Sequence, residues 1–234
     1  MQYTIAAIVP FLNEEDYLNE SVKRLLETSL FEQIVLVNDG SSDKSVEIAK
    51  DLERKNYIIE LIDLGTQHGK GYAIKTALEK INTSHLIVHD ADLEYFPSDI
   101  PKMFEIAKKN KGCLVLGSRT IKGIERIKRY KITYFGNKLL TYLFSFINFY
   151  KVTDIASCYW LIETEMLKKI DIKERGFAIE VEVLSKYLKL NSNIVEIPIH
   201  YEGRLYSDGK KIKILDGMSI FLKIIKYSKI NIFF

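Results

Sequence analysis

The segment "IVHDADLEYFP" (87–97) leaves an apolar strand, passes three carboxylates and stops at a proline. Asp90, Asp92 and Glu94 lie within five residues of one another. Like charges this close repel, and at low dielectric the cost is on the order of several kcal/mol unless something positive lies between them. The simplest such object is a divalent metal, and a metal on few carboxylates commonly carries phosphate as well. A buried strand that ends this way predicts a fold that presents ligands at its strand ends.

Outward from this segment, short apolar runs alternate with helical patterns. Strands are expected at "YTIAAIV" (3–9), "QIVLVN" (33–38), "IIELID" (58–63), "HLIVHD" (85–90) and "CLVLG" (113–117). Between them, 14–29, 43–55, 70–82 and 98–110 repeat apolar residues every three or four positions, with Lys and Glu on the other face. Asn13, Ser42 and Ser98 are the expected helix caps. The strands are continuously apolar, as in a parallel sheet covered on both faces. The reading is a doubly wound, mostly parallel α/β domain. In the second half, 134–150 is an aromatic helix, 154–163 a strand or hairpin arm, 178–190 a helix and 194–199 a strand. Residues 201–213 form a basic loop before the closing stretch 214–234. The expected division is a domain over 1–213 and an amphipathic C-terminal helix over 214–234.

The 234 residues carry 34 basic and 31 acidic side chains, net +3, which is too balanced to argue for nucleic acid. Cys113 and Cys158 lack metal-type spacing and read as core thiols of a reducing compartment. "MQYTIAAIVPFLNEE" has no basic region before its apolar run and meets acid straight after it, so it reads as a first strand and not a signal peptide. No stretch has eighteen uninterrupted apolar residues. The expected location is cytoplasmic, with a peripheral membrane position left open. His68, His85, His89 and His200 have no ligand spacing.

In an open parallel sheet ligands bind beyond the carboxyl ends of the strands. Pro10, Asn13 and Glu14 follow the first strand, Asn38 and Asp39 the second, Asp63 the third, and the carboxylate cluster the fourth. One such Asp is ordinarily a cap or turn residue, but four in the same topological position mark a site. Neither G-x-G-x-x-G nor a P-loop is present. "QHGKGYA" (67–73), with Gly69, Lys70 and Gly71, opens a helix whose N–H groups can cradle an anion. Asp39 and Asp63 suit hydrogen bonds to a base edge and to ribose.

Together "VPFLNEE", "VNDGSSD", "HGKGYA", "DADLEYFP", "LGSR" and "GKKI…DG" resemble, in order and spacing over about residues 4–217, family-2 glycosyltransferases of GT-A fold. The branch they resemble makes dolichyl- or polyprenyl-phosphate mannose and glucose. The resemblance implies that Asp39 reads the nucleotide base with Asp63 near it, and that Asp90–Ala91–Asp92 is the metal motif. Asp92 would hold Mg2+ or Mn2+ bridging the donor diphosphate, Asp90 would contact ribose or metal, and Glu94 would complete the shell. Arg119 of "GSR" and Arg204, Lys210 and Lys211 of the basic loop would clamp phosphates of donor or acceptor. Arg126 and Arg129 have no firm match. The family's D-x-x-S-G-F stands here as "DIASCYW", with Cys158 in place of glycine, so the acceptor wall is expected to differ.

The implied reaction is metal-dependent, inverting transfer of a hexose from a nucleoside-diphosphate sugar (UDP-glucose or GDP-mannose type) to polyprenyl or dolichyl phosphate. A hydroxyl acceptor, as in surface polysaccharide or lipopolysaccharide assembly, is the alternative; it needs a general base, for which Asp154, Glu180 and Glu182 are candidates. A third reading is a non-catalytic sugar-nucleotide-binding subunit. In the C-terminal stretch Lys223, Lys226 and Lys229 recur every third residue beside Phe221, Leu222, Ile224 and Ile225. That pattern fits a membrane surface, packing on the domain or a homodimer contact.

Overall fold

The computed structural model describes residues 2–122, 126–127, 131–190, 193–204 and 214–229. In chain order it contains β1 (Ile5–Phe11), α1 (Leu18–Glu27), β2 (Gln33–Asn38), α2 (Ser45–Lys55), β3 (Ile59–Asp63), α3 (Lys70–Leu78) and β4 (His85–Val88). After a 3-10 turn at Pro97–Asp99 come α4 (Ile100–Lys109), β5 (Cys113–Ser118), β6 (Arg126–Ile127), α5 (Lys131–Asn148), β7 (Trp160–Glu163) and α6 (Thr164–Lys168). The remainder is α7 (Ile179–Lys189), β8 (Asn193–Pro198), β9 (Tyr201–Glu202) and α8 (Ile214–Tyr227).

Seven strands form one sheet in the order β3-β2-β1-β4-β7-β5-β8. All neighbours are parallel except β7, which runs antiparallel to both β4 and β5. Strand order reverses on either side of β1, whose partners are β2 and β4, and such a reversal opens a crevice at the carboxyl ends.

Period-two alternation sends Ile5, Ala7 and Val9 to one core and Ala6 and Ile8 to the other. The first core is closed by Leu18, Val22 and Leu25 of α1, Ala49 and Leu52 of α2, and Ile100, Met103 and Phe104 of α4. The second is closed by Ala73, Ile74 and Ala77 of α3, Phe144 and Ile147 of α5, residues of α7, and Ile220 and Ile224 of α8. Helix α8 packs on α5 and α7, and its Ile220 and Ile224 join the second core. The expected lysine stripe is divided: Lys223 turns to Glu174 at 2.7 Å, whereas Lys229 is exposed.

The three expected caps are not caps. The helices begin after Tyr17, Lys44 and Asp99, without side-chain cap bonds. Asn13 instead accepts the Ser42 backbone N–H through Oδ1 at 2.8 Å, and Ser45 Oγ accepts the Glu14 N–H at 2.8 Å. These polar side chains tie the loops after β1 and β2 to each other.

Candidate functional site

The turn after β4 is built on Leu93, held at φ 62°, which reverses the chain between Asp92 and Glu94. The three carboxylates take different partners. Asp90 forms an ion pair with Lys70 at 2.8 Å, and Lys70 also reaches Glu180 Oε1 at 2.9 Å. Glu94 accepts the Tyr201 hydroxyl at 2.5 Å and the Arg204 backbone N–H at 2.6 Å. Among the described residues Asp92 accepts only the Glu94 N–H at 3.1 Å and a long contact from Arg204 Nη2 at 3.3 Å. Among the described residues no three Asp, Glu, His or Cys side chains form a metal cage. Of the expected ligand set of Asp90, Asp92 and Glu94, the outer two carry side-chain cations and hydrogen bonds.

Asp92 is the carboxylate left with spare acceptor capacity. Burial first, then repulsion from Asp90 and Glu94, pushes its carboxyl up to about 7, against the pull of Arg204. Beside it Arg204 Nε is buried without a hydrogen-bond partner among the described residues. A hard oxygen donor with unused acceptor capacity suits a dication, and the guanidinium beside it suits the diphosphate such a dication would carry. The residues therefore fit a metal held by Asp92, with Asp90 and Glu94 setting the surrounding charge.

The cations are themselves braced. Burial opposes the charge on Lys70, yet Asp90 and Glu180 hold it well above the ordinary lysine range. Arg204 receives both oxygens of Glu14, at 3.0 and 3.3 Å, and lies over the Tyr17 ring at 4.8 Å. Arg119 meets Asp154 in a two-pronged pair, Nε at 2.7 Å and Nη2 at 2.8 Å, and its backbone N–H adds a third bond at 2.9 Å. Asn137 of α5 donates a fourth to Asp154 Oδ1 at 2.8 Å. The Arg119 guanidinium lies 4.9 Å from the Tyr201 ring. Asp154 is fully buried, and although burial alone would raise its carboxyl, Arg119 and Asn137 hold it below the usual carboxylate range. A carboxylate so engaged is a poor proton acceptor.

The glycine-rich segment is filled from inside the protein. Asp39, nearly buried, accepts the His68 N–H at 2.7 Å and the Gly69 N–H at 2.9 and 3.0 Å. The Gly71 N–H goes to the Arg175 carbonyl at 2.7 Å. In the anion cradle expected at 67–73, the N–H groups of His68, Gly69 and Gly71 thus bond the Asp39 carboxylate and a backbone carbonyl. Space there is tight: a Cβ on Gly71 would lie 2.2 Å from the Glu174 carbonyl oxygen, and one on Gly69, at φ 101°, 2.3 Å from that of Arg175. Glu174 in turn takes Lys223 at 2.7 Å and the Tyr227 hydroxyl at 2.6 Å from α8.

Asp63 is exposed at the end of β3, with the Asn38 amide at 2.7 Å and the Gly65 N–H at 3.0 Å. Pro10 lies near the end of β1, and Ala91 is buried between the two aspartates. Lys210, Lys211 and Arg129 lie outside the described residues, as does the Arg126 side chain. The sequence reading missed Tyr201, which lies under Arg119 and bonds Glu94, as well as Asn137 and the Lys70–Glu180 pair. Only "YEGR" (201–204), an aromatic just before Arg204, hinted at the first.

His89, at the end of β4, is buried between Ser21 Oγ at 2.9 Å and the Tyr159 hydroxyl at 2.8 Å. Burial lowers its pKa from 6.5 to about 4. The unfolded chain then protonates first, so the stability from neutral His89 is present above pH 6.5 and lost as pH falls towards 4, by about 3 kcal/mol. Asp92 acts in the opposite sense in an overlapping range, so the informative quantity is a difference. Thermal melts of wild type and His89→Gln between pH 7 and 4 should diverge, with wild type losing more.

The comparisons agree with this architecture. Residues 6–171 match the model of glycosyl transferase family 2. A dolichol-phosphate mannosyltransferase of Pyrococcus furiosus is 28% identical over 223 residues; the match covers 93% of this chain but 60% of that longer protein. A UDP-N-acetylglucosamine–dolichyl-phosphate N-acetylglucosaminyltransferase of Methanococcus voltae is 28% identical over 239 residues, covering 94% of each. Among solved structures, glucosyl-3-phosphoglycerate synthase of Mycobacterium tuberculosis, in complex with Mn2+, UDP and glucosyl-3-phosphoglycerate, superposes with a TM-score of 0.73. That match covers 96% of this chain and 80% of that one, and at 16% identity it speaks for the GT-A fold alone. With the family model spanning more than half its length and the strand-end carboxylates in place, the chain belongs to glycosyl transferase family 2 and is a glycosyltransferase.

Proposed function

We propose that this enzyme transfers a hexose from a nucleoside-diphosphate sugar to a polyprenyl or dolichyl phosphate, by a single displacement with inversion. The observation that carries the choice of acceptor is the state of the three candidate bases. Asp154 is locked on Arg119 and Asn137. Glu180 pairs with Lys70 through Oε1 only, and its Oε2, without a partner among the described residues, is buried away from any acceptor; Glu182 accepts the Lys173 and Glu174 N–H groups and pairs with Lys186 at 2.6 Å. A hydroxyl acceptor needs a free base. A phosphate acceptor is already anionic and needs cations, which Arg119 and Arg204 supply. Two relatives whose names carry dolichol or dolichyl phosphate support the same choice.

In this reading Asp39 fixes the loop that places Lys70, and Asp63 offers its exposed carboxylate to the donor's nucleoside. Asp92 holds Mg2+ or Mn2+, which when bound offsets the charge that builds on the departing nucleoside diphosphate. Arg204, held by Glu14, stands over the same charge. Arg119, kept cationic by Asp154, orients the acceptor phosphate. Radiolabelled UDP- and GDP-hexoses, each with Mn2+, offered to polyprenyl phosphate and to saccharide acceptors, test the proposal. Label should enter the lipid phosphate only, and Asp92→Asn should reduce transfer on the order of a hundredfold or more and remove the Mn2+ dependence of nucleotide binding. Label entering saccharide and not lipid phosphate would reverse the assignment.

A further inference from the structure

Helix α5 presents Phe135, Leu139, Tyr142 and Phe146 outward, followed by Phe149, each between 65% and 77% exposed. The alternating steps of four and three place them on one stripe. The opposite side of the helix is the packed one, where Thr141, Phe144, Ile147 and Asn148 are buried. Helix α8, which packs against α5, adds Met218, Phe221 and Leu222 at 65%, 42% and 60% exposure. These eight make up most of the eleven exposed large apolar side chains among the described residues. Single exposed apolar residues need no explanation, but a concentration of this kind marks an interaction surface.

Charge selects the occupant. Helix α5 contains no Asp or Glu, and the sequence of α8 contains only Asp216. Among the described side chains of the two helices and the residues that directly follow them, the exposed charged ones are Lys138, Lys151, Lys226 and Lys229, all of one sign. A second copy docked by two-fold symmetry would set these lysines against one another, with no acid among the described side chains of either helix to answer them. A bilayer that carries anionic headgroups answers both features at once, taking the aromatic stripe into its interface and the lysines at its surface. No helix among the described residues is long and apolar enough to cross a membrane, so the contact is one of surface docking. The same helix reaches the site, because Asn137 holds Asp154 and Asp154 holds Arg119.

We propose that the outward face of α5, extended by α8, docks on an anionic bilayer and so keeps Arg119 beside the plane in which a lipid phosphate is anchored. The purpose assigned to docking rests on the acceptor proposed above; its test does not. The full chain is sedimented with phosphatidylcholine vesicles, with and without phosphatidylglycerol, in the absence of donor and of polyprenyl phosphate. Wild type should partition onto the anionic vesicles, and added salt should weaken the binding without abolishing it. The double variant Leu139→Gln/Phe146→Gln should bind about tenfold or more weakly. Both side chains face solvent, so its melting temperature should match wild type. Tyr57→Gln, a fully exposed aromatic near β3, should bind as wild type does.

Wild type remaining in the supernatant with both vesicle types would overturn the proposal. So would a dimeric mass by light scattering that the double variant converts to monomer, which would assign the face to a second copy. Vesicle binding combined with failure to glycosylate polyprenyl phosphate would leave docking standing and remove the proposed acceptor.

Discussion

Asp154→Asn should lower the melting temperature on the order of 10 °C and abolish transfer together. Asp154 is wholly buried, and its carboxylate is the charged partner of Arg119, whose side chain is only 17% exposed. Removing one member of such a pair leaves the other desolvated and uncompensated, at a cost of about 3–5 kcal/mol. For a domain of this size each kcal/mol is worth roughly 2–4 °C. An asparagine amide would also turn a donor towards guanidinium donors. The double variant Arg119→Met/Asp154→Asn separates the two roles, because it removes both charges: melting should recover while transfer stays lost. A general base at this position would behave otherwise, with Asp154→Asn inactive yet melting like wild type. Differential scanning calorimetry beside a transfer assay distinguishes these outcomes.

Gly71→Ala is the second large effect, and helix propensity gives the wrong sign for it. Gly71 lies in the first turn of α3, where alanine would ordinarily add up to about 1 kcal/mol. The added methyl would, however, meet the Glu174 carbonyl oxygen at 2.2 Å, and backbone cannot yield as a flexible side chain does. Segment 174–175 has to withdraw, breaking the bond from Gly71 N–H to Arg175 and moving Lys70 away from Asp90. The expected net loss is about 2–3 kcal/mol, within the range for overpacking a closed contact. Nucleotide affinity by calorimetry should fall with it. Gly136→Ala and Gly217→Ala, where an added Cβ meets nothing within 4 Å, should be neutral or stabilising.

The sequence disclosed the donor half more fully than the acceptor half, for physical reasons. Strands β1 to β5 are continuous apolar runs broken by turn residues, and a parallel sheet covered on both faces leaves that trace directly in the order of residues. The antiparallel insertion of β7 leaves none, since alternation carries no direction. Asp154 shows the same limit at the site. An acid after a loop reads equally as a base or as an arginine's counter-ion until Arg119 and Asn137 are seen around it. Lys70 was legible as a residue of the glycine-rich segment, but its partner Glu180 is distant in sequence and only folding brings the two together. The caps were misassigned because Asn13 and Ser42 are good caps by type, yet here each meets the other's loop first. Lys223 was placed on an outer stripe because a helical pattern cannot register Glu174 on a separate segment.

Glu174 joins two parts of the enzyme that share no chemistry. Its carboxylate is gripped by Lys223 and Tyr227 of α8, and its own carbonyl rests on Gly71, next to the lysine that braces Asp90. An outer helix and the donor loop therefore lean on one strut. With the donor bound beside Lys70 as proposed, a free energy that displaces α8 against that strut would be drawn from nucleotide binding, and by reciprocity nucleotide binding would alter how readily α8 yields to its surroundings by the same amount.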